Sequence, residues 1–294
     1  MLTTSSHPAL QAPIPPILVF TDLDGTLLDH DSYGFEAALP ALTALKARNI
    51  PVVLNTSKTA AELLPLRQEL DLHDPFIVEN GAAIISDQAA PISPYLEQSN
   101  PTARVQQIAA DYPPSLVLPQ CDHSPVPWLR QQKSQFEFIG FSDMSVAEVA
   151  DVTGLSAEKA LQAKNRLFSE PLIWHDDMEA LDQFRQRAAT QGFRLVKGGR
   201  FWHLMAKSDK GLAMEKLSTV YQTIWQTQPV NIALGDGEND VAMLNKADYP
   251  VLVTNPAHST PHVPETTTII TTRKHGPAGW NETILALLEQ LTPD

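Results

Sequence analysis

Apolar runs of four or five residues recur through the first third of the chain, each stopped by a polar turn. Ile17-Leu18-Val19-Phe20-Thr21 and Pro51-Val52-Val53-Leu54-Asn55 are continuous and rich in β-branched residues, as in strands buried on both faces. The stretch between them reads as a helix ending near Arg48, and another helix runs from about 60 to 70. Thr59-Ala60-Ala61-Glu62 has the spacing of a capping box, which places that second helix start, and Pro65 is expected to kink it. A strand at 76–79 turns at Asn80-Gly81 into 82–85, a hairpin pattern. Alternating strands and helices predict a parallel sheet covered on both faces. Such sheets bind ligands in the crevice beyond the carboxyl ends of their strands.

The regularity ends near Ser86. Residues 86–135 are rich in proline and polar residues and show no parallel repeat. Helix starts follow at Ser145-Val146-Ala147-Glu148 and near Ser156, strands at 171–175, 193–197 and 201–205, and a helix around 177–191. Ser208-Asp209-Lys210-Gly211 then opens an amphipathic stretch carrying Leu212, Met214 and Leu217, and Val230-Asn231-Ile232-Ala233-Leu234 reads as a short buried strand. Short mixed elements between two halves of a parallel sheet predict an insertion. The expected architecture is α/β: a Rossmann-like parallel-sheet core from 16–85 and 206–294, an inserted α+β cap at 86–205, and a loose tail at 1–15.

Candidate chemistry gathers where apolar runs end. Asp22-Leu23-Asp24-Gly25-Thr26 follows the first run. If the strand continues, Asp22 and Asp24 share one face, where two carboxylates repel unless a cation intervenes or one is protonated. That suits a magnesium site with a carboxylate nucleophile beside a second carboxyl that moves a proton; the plainer reading is a strand end with two solvated aspartates. Gly235-Asp236-Gly237-Glu238-Asn239-Asp240 follows the 230–234 run, and the spacing of Asp236 and Asp240 lets both face one point if a helix begins near Glu238. Thr56 and Ser57 lie at a strand end before a helix, where hydroxyls and backbone N–H groups receive phosphate. Lys210 sits in the first turn of its helix against the dipole preference, a placement that serves an anion or leaves a solvated lysine.

These strings resemble the four motifs of the haloacid dehalogenase superfamily of phosphohydrolases. More narrowly, Thr56-Ser57-Lys58-Thr59, Glu79-Asn80-Gly81-Ala82, Gly198-Gly199-Arg200-Phe201 and Gly276-Pro277-Ala278-Gly279-Trp280 resemble the mannosyl-3-phosphoglycerate phosphatase family, over about 17–288. The family's Ser-Ser-Lys-Thr reads Thr-Ser-Lys-Thr here, which keeps the hydroxyl. The resemblance implies Asp22 as nucleophile, Asp24 as acid and base, and Lys210 as the restraint on Asp22. It also implies phosphate contacts from Thr56, Ser57 and Lys210, and Mg2+ held by Asp22, the Asp24 carbonyl and Asp236 with Asp240 bracing. The substrate it implies is mannosyl- or glucosyl-3-phosphoglycerate. Lys58, Glu79, Asn80, Arg200 and Asn239 are candidate substrate contacts, although Glu79-Asn80 also suits plain turn chemistry and Arg200 a surface hairpin. His203 reads as packed or solvated rather than catalytic, and Arg273 and Lys274 as a solvated basic loop.

Composition narrows the partners. The 294 residues are 43% hydrophobic and 19% charged, enough for a large core and two domains. A net charge of −13 argues against nucleic acid or an acidic membrane surface. It also requires positive charge to be local if the substrate is a small anionic sugar phosphate. The single cysteine, Cys121, can form no internal disulfide, no apolar stretch reaches membrane-spanning length, and the first sixteen residues lack the basic start of a signal peptide. A cytoplasmic location is expected. The nine histidines show no metal-binding spacing, and there is no Walker-type loop. A related sugar-phosphate phosphatase, a phosphomutase and a non-catalytic binding protein are the alternatives; the last has no need of a paired acid and nucleophile.

Overall fold

The computed structural model describes residues 16–86, 92–99, 104–106, 115–118, 124–197, 200–257, 259–264 and 268–292. The expected tail at 1–15, Cys121 and Gly198-Gly199 lie outside the described residues. In chain order the strands are β1 (Ile17–Thr21), β2 (Val52–Leu54), β3 (Phe76–Val78), β4 (Ala83–Ile85), β5 (Arg104–Gln106), β6 (Ser115–Val117), β7 (Phe138–Gly140), β8 (Ser169–Trp174), β9 (Phe193–Lys197), β10 (Trp202–Ala206), β11 (Val230–Gly235), β12 (Tyr249–Thr254) and β13 (Ile270–His275). The α-helices are α1 (Leu39–Ala47), α2 (Ala60–Glu69), α3 (Ser93–Ser99), α4 (Val126–Gln132), α5 (Val146–Thr153), α6 (Ala157–Lys164), α7 (Met178–Thr190), α8 (Lys210–Trp225), α9 (Val241–Leu244) and α10 (Gly276–Leu291).

The central sheet is parallel, in the order β13-β12-β11-β1-β2. A parallel bridge between Asn55 and Ile77 carries the same surface on to β3, which opens the antiparallel sheet β3-β4-β6-β5. Every residue of β1 is buried, which is why that run is apolar without alternation. On α10, the fully buried Trp280 donates from Nε1 to Thr21 Oγ1 at 3.0 Å, and that hydroxyl donates to the Asp22 carbonyl at 2.7 Å. Full burial of one such large side chain is worth about 1.5–3 kcal/mol; here it also holds the end of β1 in place. The expected capping box is present: Thr59 Oγ1 accepts from Glu62 N at 3.2 Å, and Glu62 Oε2 accepts from Thr59 N at 2.8 Å. From β1 the chain moves to β2 on one side and later returns as β11 on the other, so the switch point of the sheet lies between β1 and β11.

A second, antiparallel sheet, β7-β8-β10-β9, stands apart from the first. One face packs Phe136, Phe138, Phe184 and Leu204 into a separate aromatic cluster, and a smaller cluster of Phe141, Met144, Val149 and Ala160 gathers around α5 and α6. Ile92, Leu96, Leu116, Val117 and Leu118 pack with the strands of the core, because β6 pairs with β4. Helix α6 of the inserted part meets α2 of the core, where Thr59 Oγ1 donates to the Gln162 carbonyl at 3.0 Å.

Candidate active site

The parallel register of β1 and β11 sets Thr21 beside Leu234, and Asp22 N donates to the Leu234 carbonyl at 2.9 Å. Asp22 and Asp236 therefore leave the sheet together at its carboxyl edge. Lys210 is the first residue of α8, which Asp209 caps by accepting from Leu212 N at 2.7 Å. Its Nζ, wholly buried, lies 2.6 Å from Asp22 Oδ1 and 2.6 Å from Asp240 Oδ1. Asp240 Oδ2 accepts from the backbone N–H groups of Asp236 and Gly237, each at 3.0 Å, and so shapes the loop that presents Asp236. The Asp236 oxygens accept from Thr26 Oγ1 at 3.1 Å and Asn255 Nδ2 at 2.7 Å. One oxygen from each of Asp22, Asp236 and Asp240 lies within 4.8 Å of the others.

Three buried carboxylates face one ammonium, and the imbalance shows in the acidities. Burial, and then the neighbouring Asp240 carboxylate, hold the Asp22 carboxyl well above the usual range against the pull of Lys210. Burial works to lower the Lys210 value, but Asp22 and Asp240 more than offset it, so the ammonium is held more firmly than in water. A buried, carboxylate-rich set of hard oxygen donors short of positive charge fits a divalent cation such as Mg2+.

Asp24 lies outside that group. The strand stops at Thr21, and Asp24 falls in a tight turn that forms an isolated bridge to Leu28, so the expected common strand face of Asp22 and Asp24 does not exist. Gly25 makes the turn with φ +79°, and a Cβ there would come within 2.2 Å of Asn255 Nδ2 and 2.6 Å of Asp236 Oδ2. Asp24 Oδ2 pairs with Lys58 Nζ at 2.8 Å, while its Oδ1 is buried without a partner. Asp24, Ser57, Lys58 and Arg200 line a cavity of about 210 Å³ between the core and the second sheet. Burial works to lower the Lys58 pKa, but Asp24 and Glu62 reverse the effect and leave it raised. Arg200 is oriented by donating to the carbonyls of Val152 at 3.2 Å and Thr153 at 2.6 Å.

The remaining expected residues fall elsewhere. Thr56 is buried; its Oγ1 accepts from Lys58 N at 3.2 Å and its N–H donates to the Ile77 carbonyl at 3.2 Å, so only the hydroxyl proton is left for a ligand. Glu79 and Asn80 both adopt positive φ. Glu79 makes internal contacts: its buried carboxylate accepts from Leu167 N at 2.8 Å, Phe168 N at 3.0 Å and Ser169 Oγ at 2.6 Å, on the stretch between α6 and β8. Asn80 Oδ1 accepts from Asn239 Nδ2 at 3.2 Å, which joins those two candidates to each other. Residues not singled out in the sequence complete the site. Asn255 braces Asp236, and Arg166 Nη2 donates to the Ser57 carbonyl at 2.7 Å. Tyr33 stands on the cavity wall, and so does His203, which was expected to be packed or solvated.

Fold and site together describe an α/β enzyme with an acidic cluster at the switch point of its sheet. The chain belongs to the haloacid dehalogenase-like hydrolases, whose family model matches residues 19–276. Within that family it is a phosphatase. A glucosyl-3-phosphoglycerate/mannosyl-3-phosphoglycerate phosphatase of Persephonella marina is 35% identical over 279 residues, covering 94% of this chain and 98% of the relative. One of the same name from Methanococcoides burtonii is 35% identical over 286 residues, covering 92% and 97%. The solved sucrose-phosphatase of Synechocystis, 14% identical, aligns with a TM-score of 0.56 over 94% of this chain and 98% of its own, a likeness of fold. Among the described residues no helix is long and apolar enough to cross a membrane.

Proposed function

We propose that this phosphatase hydrolyses the phosphomonoester of mannosyl-3-phosphoglycerate, glucosyl-3-phosphoglycerate or both, through a phosphorylated Asp22. The observation that carries the reading is the buried Lys210 ammonium at 2.6 Å from both Asp22 and Asp240, in a chain 35% identical to two phosphatases named for those substrates. The free oxygen of Asp22 attacks phosphorus, the bond from phosphorus to the glycerate oxygen breaks, and Asp24 gives that oxygen its proton. Water then attacks the phosphorylated Asp22, Asp24 takes the water proton, and the phosphorus–Asp22 bond breaks to release inorganic phosphate. Asp24 suits the second role because it follows Asp22 by two residues and faces the cavity through which a leaving group departs.

Asp22, the Asp24 carbonyl and Asp236 would hold Mg2+, with Asp240 bracing the set. The ion supplies positive charge that offsets repulsion between a phosphate and a carboxylate nucleophile. Thr56, Ser57 and Lys210 bind phosphoryl oxygens, and Lys58 orients Asp24. The insertion expected at 86–205 forms the cap that selects the leaving group, and the enzyme works in the cytoplasm. The test is steady-state phosphate release from both glycosyl phosphoglycerates, with and without EDTA. Release that EDTA abolishes is expected. No release from either substrate, or transfer of the phosphoryl group to a second hydroxyl without release, overturns the reading.

A further inference from the structure

His203 occupies β10 between β8 and β9, directly across from Pro171 and Val196. Strand alternation gives Trp202 and Leu204 to the face carrying the aromatic cluster, where both pack, and His203 to the opposite face. That opposite face forms part of the wall of the 210 Å³ cavity, together with Pro171 and Arg166, while Asp24 and Lys58 contribute the core side. The Nδ1 atom of His203 is closed off from solvent and has no hydrogen-bond partner, and neither ring nitrogen is bonded among the described residues. A buried polar group left unpaired forfeits about 1–3 kcal/mol, and such groups call for a reason in the function of the molecule.

The ring itself borders a space that a ligand can fill. Burial, and then the nearby Arg166 charge, hold the His203 ring at a pKa of about 3, so it is a neutral imidazole at working pH. An orphaned N–H is rarer in proteins than an orphaned acceptor, so the closed-off Nδ1 keeps the lone pair and Nε2 carries the proton. Positive charge for a phosphate or carboxylate already stands in the same cavity on Lys58, Arg166 and Arg200. With those cations present for an anion, the neutral N–H donor of His203 is left to match a hydroxyl. Asp24, the proposed donor to the leaving oxygen, lines the cavity on the core side and His203 on the cap side. The leaving group therefore extends from Asp24 into the space that His203 borders, and that space adjoins a second cavity of about 270 Å³ sharing Tyr33, Lys58, Glu62 and Leu155.

We infer that His203 contacts the sugar, donating from Nε2 to a hydroxyl of the glycosyl group and so favouring glycosylated over sugar-free phosphate esters. The inference rests on the proposed substrate class and specifies which residue reads it. The experiment compares wild type, His203→Phe and His203→Gln, full-length, on mannosyl-3-phosphoglycerate, glucosyl-3-phosphoglycerate and the sugar-free p-nitrophenyl phosphate. Phenylalanine keeps the flat ring without a donor, and glutamine restores an N–H at similar reach. The expected result is that His203→Phe lowers the ratio of glycosyl to p-nitrophenyl kcat/KM roughly two- to thirteen-fold, the equivalent of about 0.5–1.5 kcal/mol. The change should lie mainly in KM, and His203→Gln should recover it. An unchanged ratio in His203→Phe, or an equal loss on all three substrates, overturns the inference. Failure of the substrate assignment is read separately, because wild type itself would then release no phosphate from either glycosyl phosphoglycerate. The same ratio, measured on whichever sugar phosphate wild type does hydrolyse, then decides for or against His203.

Discussion

Replacing Lys210 by methionine removes one positive charge and little volume from a buried point where two carboxylates meet. In the native protein Nζ lies 2.6 Å from Asp22 and 2.6 Å from Asp240, and the ammonium is fully buried. Its loss leaves Asp22, Asp236 and Asp240 within 4.8 Å of one another and uncompensated. Removing one partner of a buried ion pair costs about 3–5 kcal/mol. For 294 residues and an unfolding entropy of roughly 2.1 cal/mol/K per residue, that corresponds to a Tm lower by about 5–8 °C. The sign of the pH dependence follows from Asp22. Its carboxyl is already raised by burial and Asp240, with Lys210 pulling it down, and without Lys210 it rises further. A group raised in the folded state favours folding while it is protonated, and that stability is lost as pH climbs from the ordinary aspartate value of about 3.9 through the raised one. The deficit of the variant should therefore be larger near about pH 8 than near about pH 5.

Calorimetry of both proteins in EDTA checks this, followed by addition of Mg2+. The variant should gain more from the ion than wild type does, because the ion then supplies charge that Lys210 no longer provides. Phosphate release should fall by about 100- to 1,000-fold, as for loss of one donor to a transition state. A Tm in EDTA indistinguishable from wild type at both pH values would mean that Lys210 does not compensate the acidic cluster, and the account of the site would fail with it.

Three other changes probe separate parts of the molecule. Asp22→Asn should abolish phosphate release while circular dichroism and Tm show a folded protein; normal turnover would reject Asp22 as nucleophile. Gly25→Ala forces a Cβ to within 2.2 Å of Asn255 Nδ2 and 2.6 Å of Asp236 Oδ2 in a φ +79° turn. It should raise the Mg2+ concentration needed for half-maximal activity, and an unaltered magnesium titration would count against the placement of Asp236. Glu79→Ala strips the acceptor from Leu167 N, Phe168 N and Ser169 Oγ. Unsatisfied buried donors cost about 1–3 kcal/mol each, so limited proteolysis should cut near 166–169 sooner than in wild type, and equal cleavage rates would show that Glu79 does not fasten the cap.

Much of this site is readable in the chain because its chemistry follows parallel strands. Asp22 and Asp236 each come directly after a buried apolar run, and parallel pairing of β1 with β11 brings them together across more than 200 residues of sequence. Thr59 and Glu62 declare their helix start through a local pattern, and the cap helix around 177–191 appears as α7. A role that depends on a partner from elsewhere in the chain leaves little local signal. Asn255 lies just beyond β12 and contacts Asp236, yet no motif surrounds it; its position after a core strand was the available signal. Glu79 and Asn80 looked like turn chemistry or substrate contacts, and their positive φ fits the turn. Only the distant segment at 167–169 reveals what the Glu79 carboxylate holds. The strands β5 and β6 pair antiparallel and so carry no parallel-sheet pattern to be read.

The overall charge of −13 makes the handling of an anionic substrate depend on how each local cation is held. Lys58 is matched by Asp24 at 2.8 Å, so its charge is largely spoken for. Arg166 donates to the Ser57 carbonyl and has Glu79 3.8 Å away, which cancels part of its field while fixing its direction. Arg200 differs from both. Its two donors go to backbone carbonyls, which orient the guanidinium without neutralising it, and it lies on the cavity wall contributed by the cap. A fork held in this way keeps its positive charge at the cavity wall, and on the proposed substrate a carboxylate is the anionic group that the glycerate moiety would offer once its phosphate is engaged by the core. On the proposed substrate the core would handle the phosphoryl group through paired charges, and the cap would meet the rest with the Arg200 cation and, at His203, an uncharged donor.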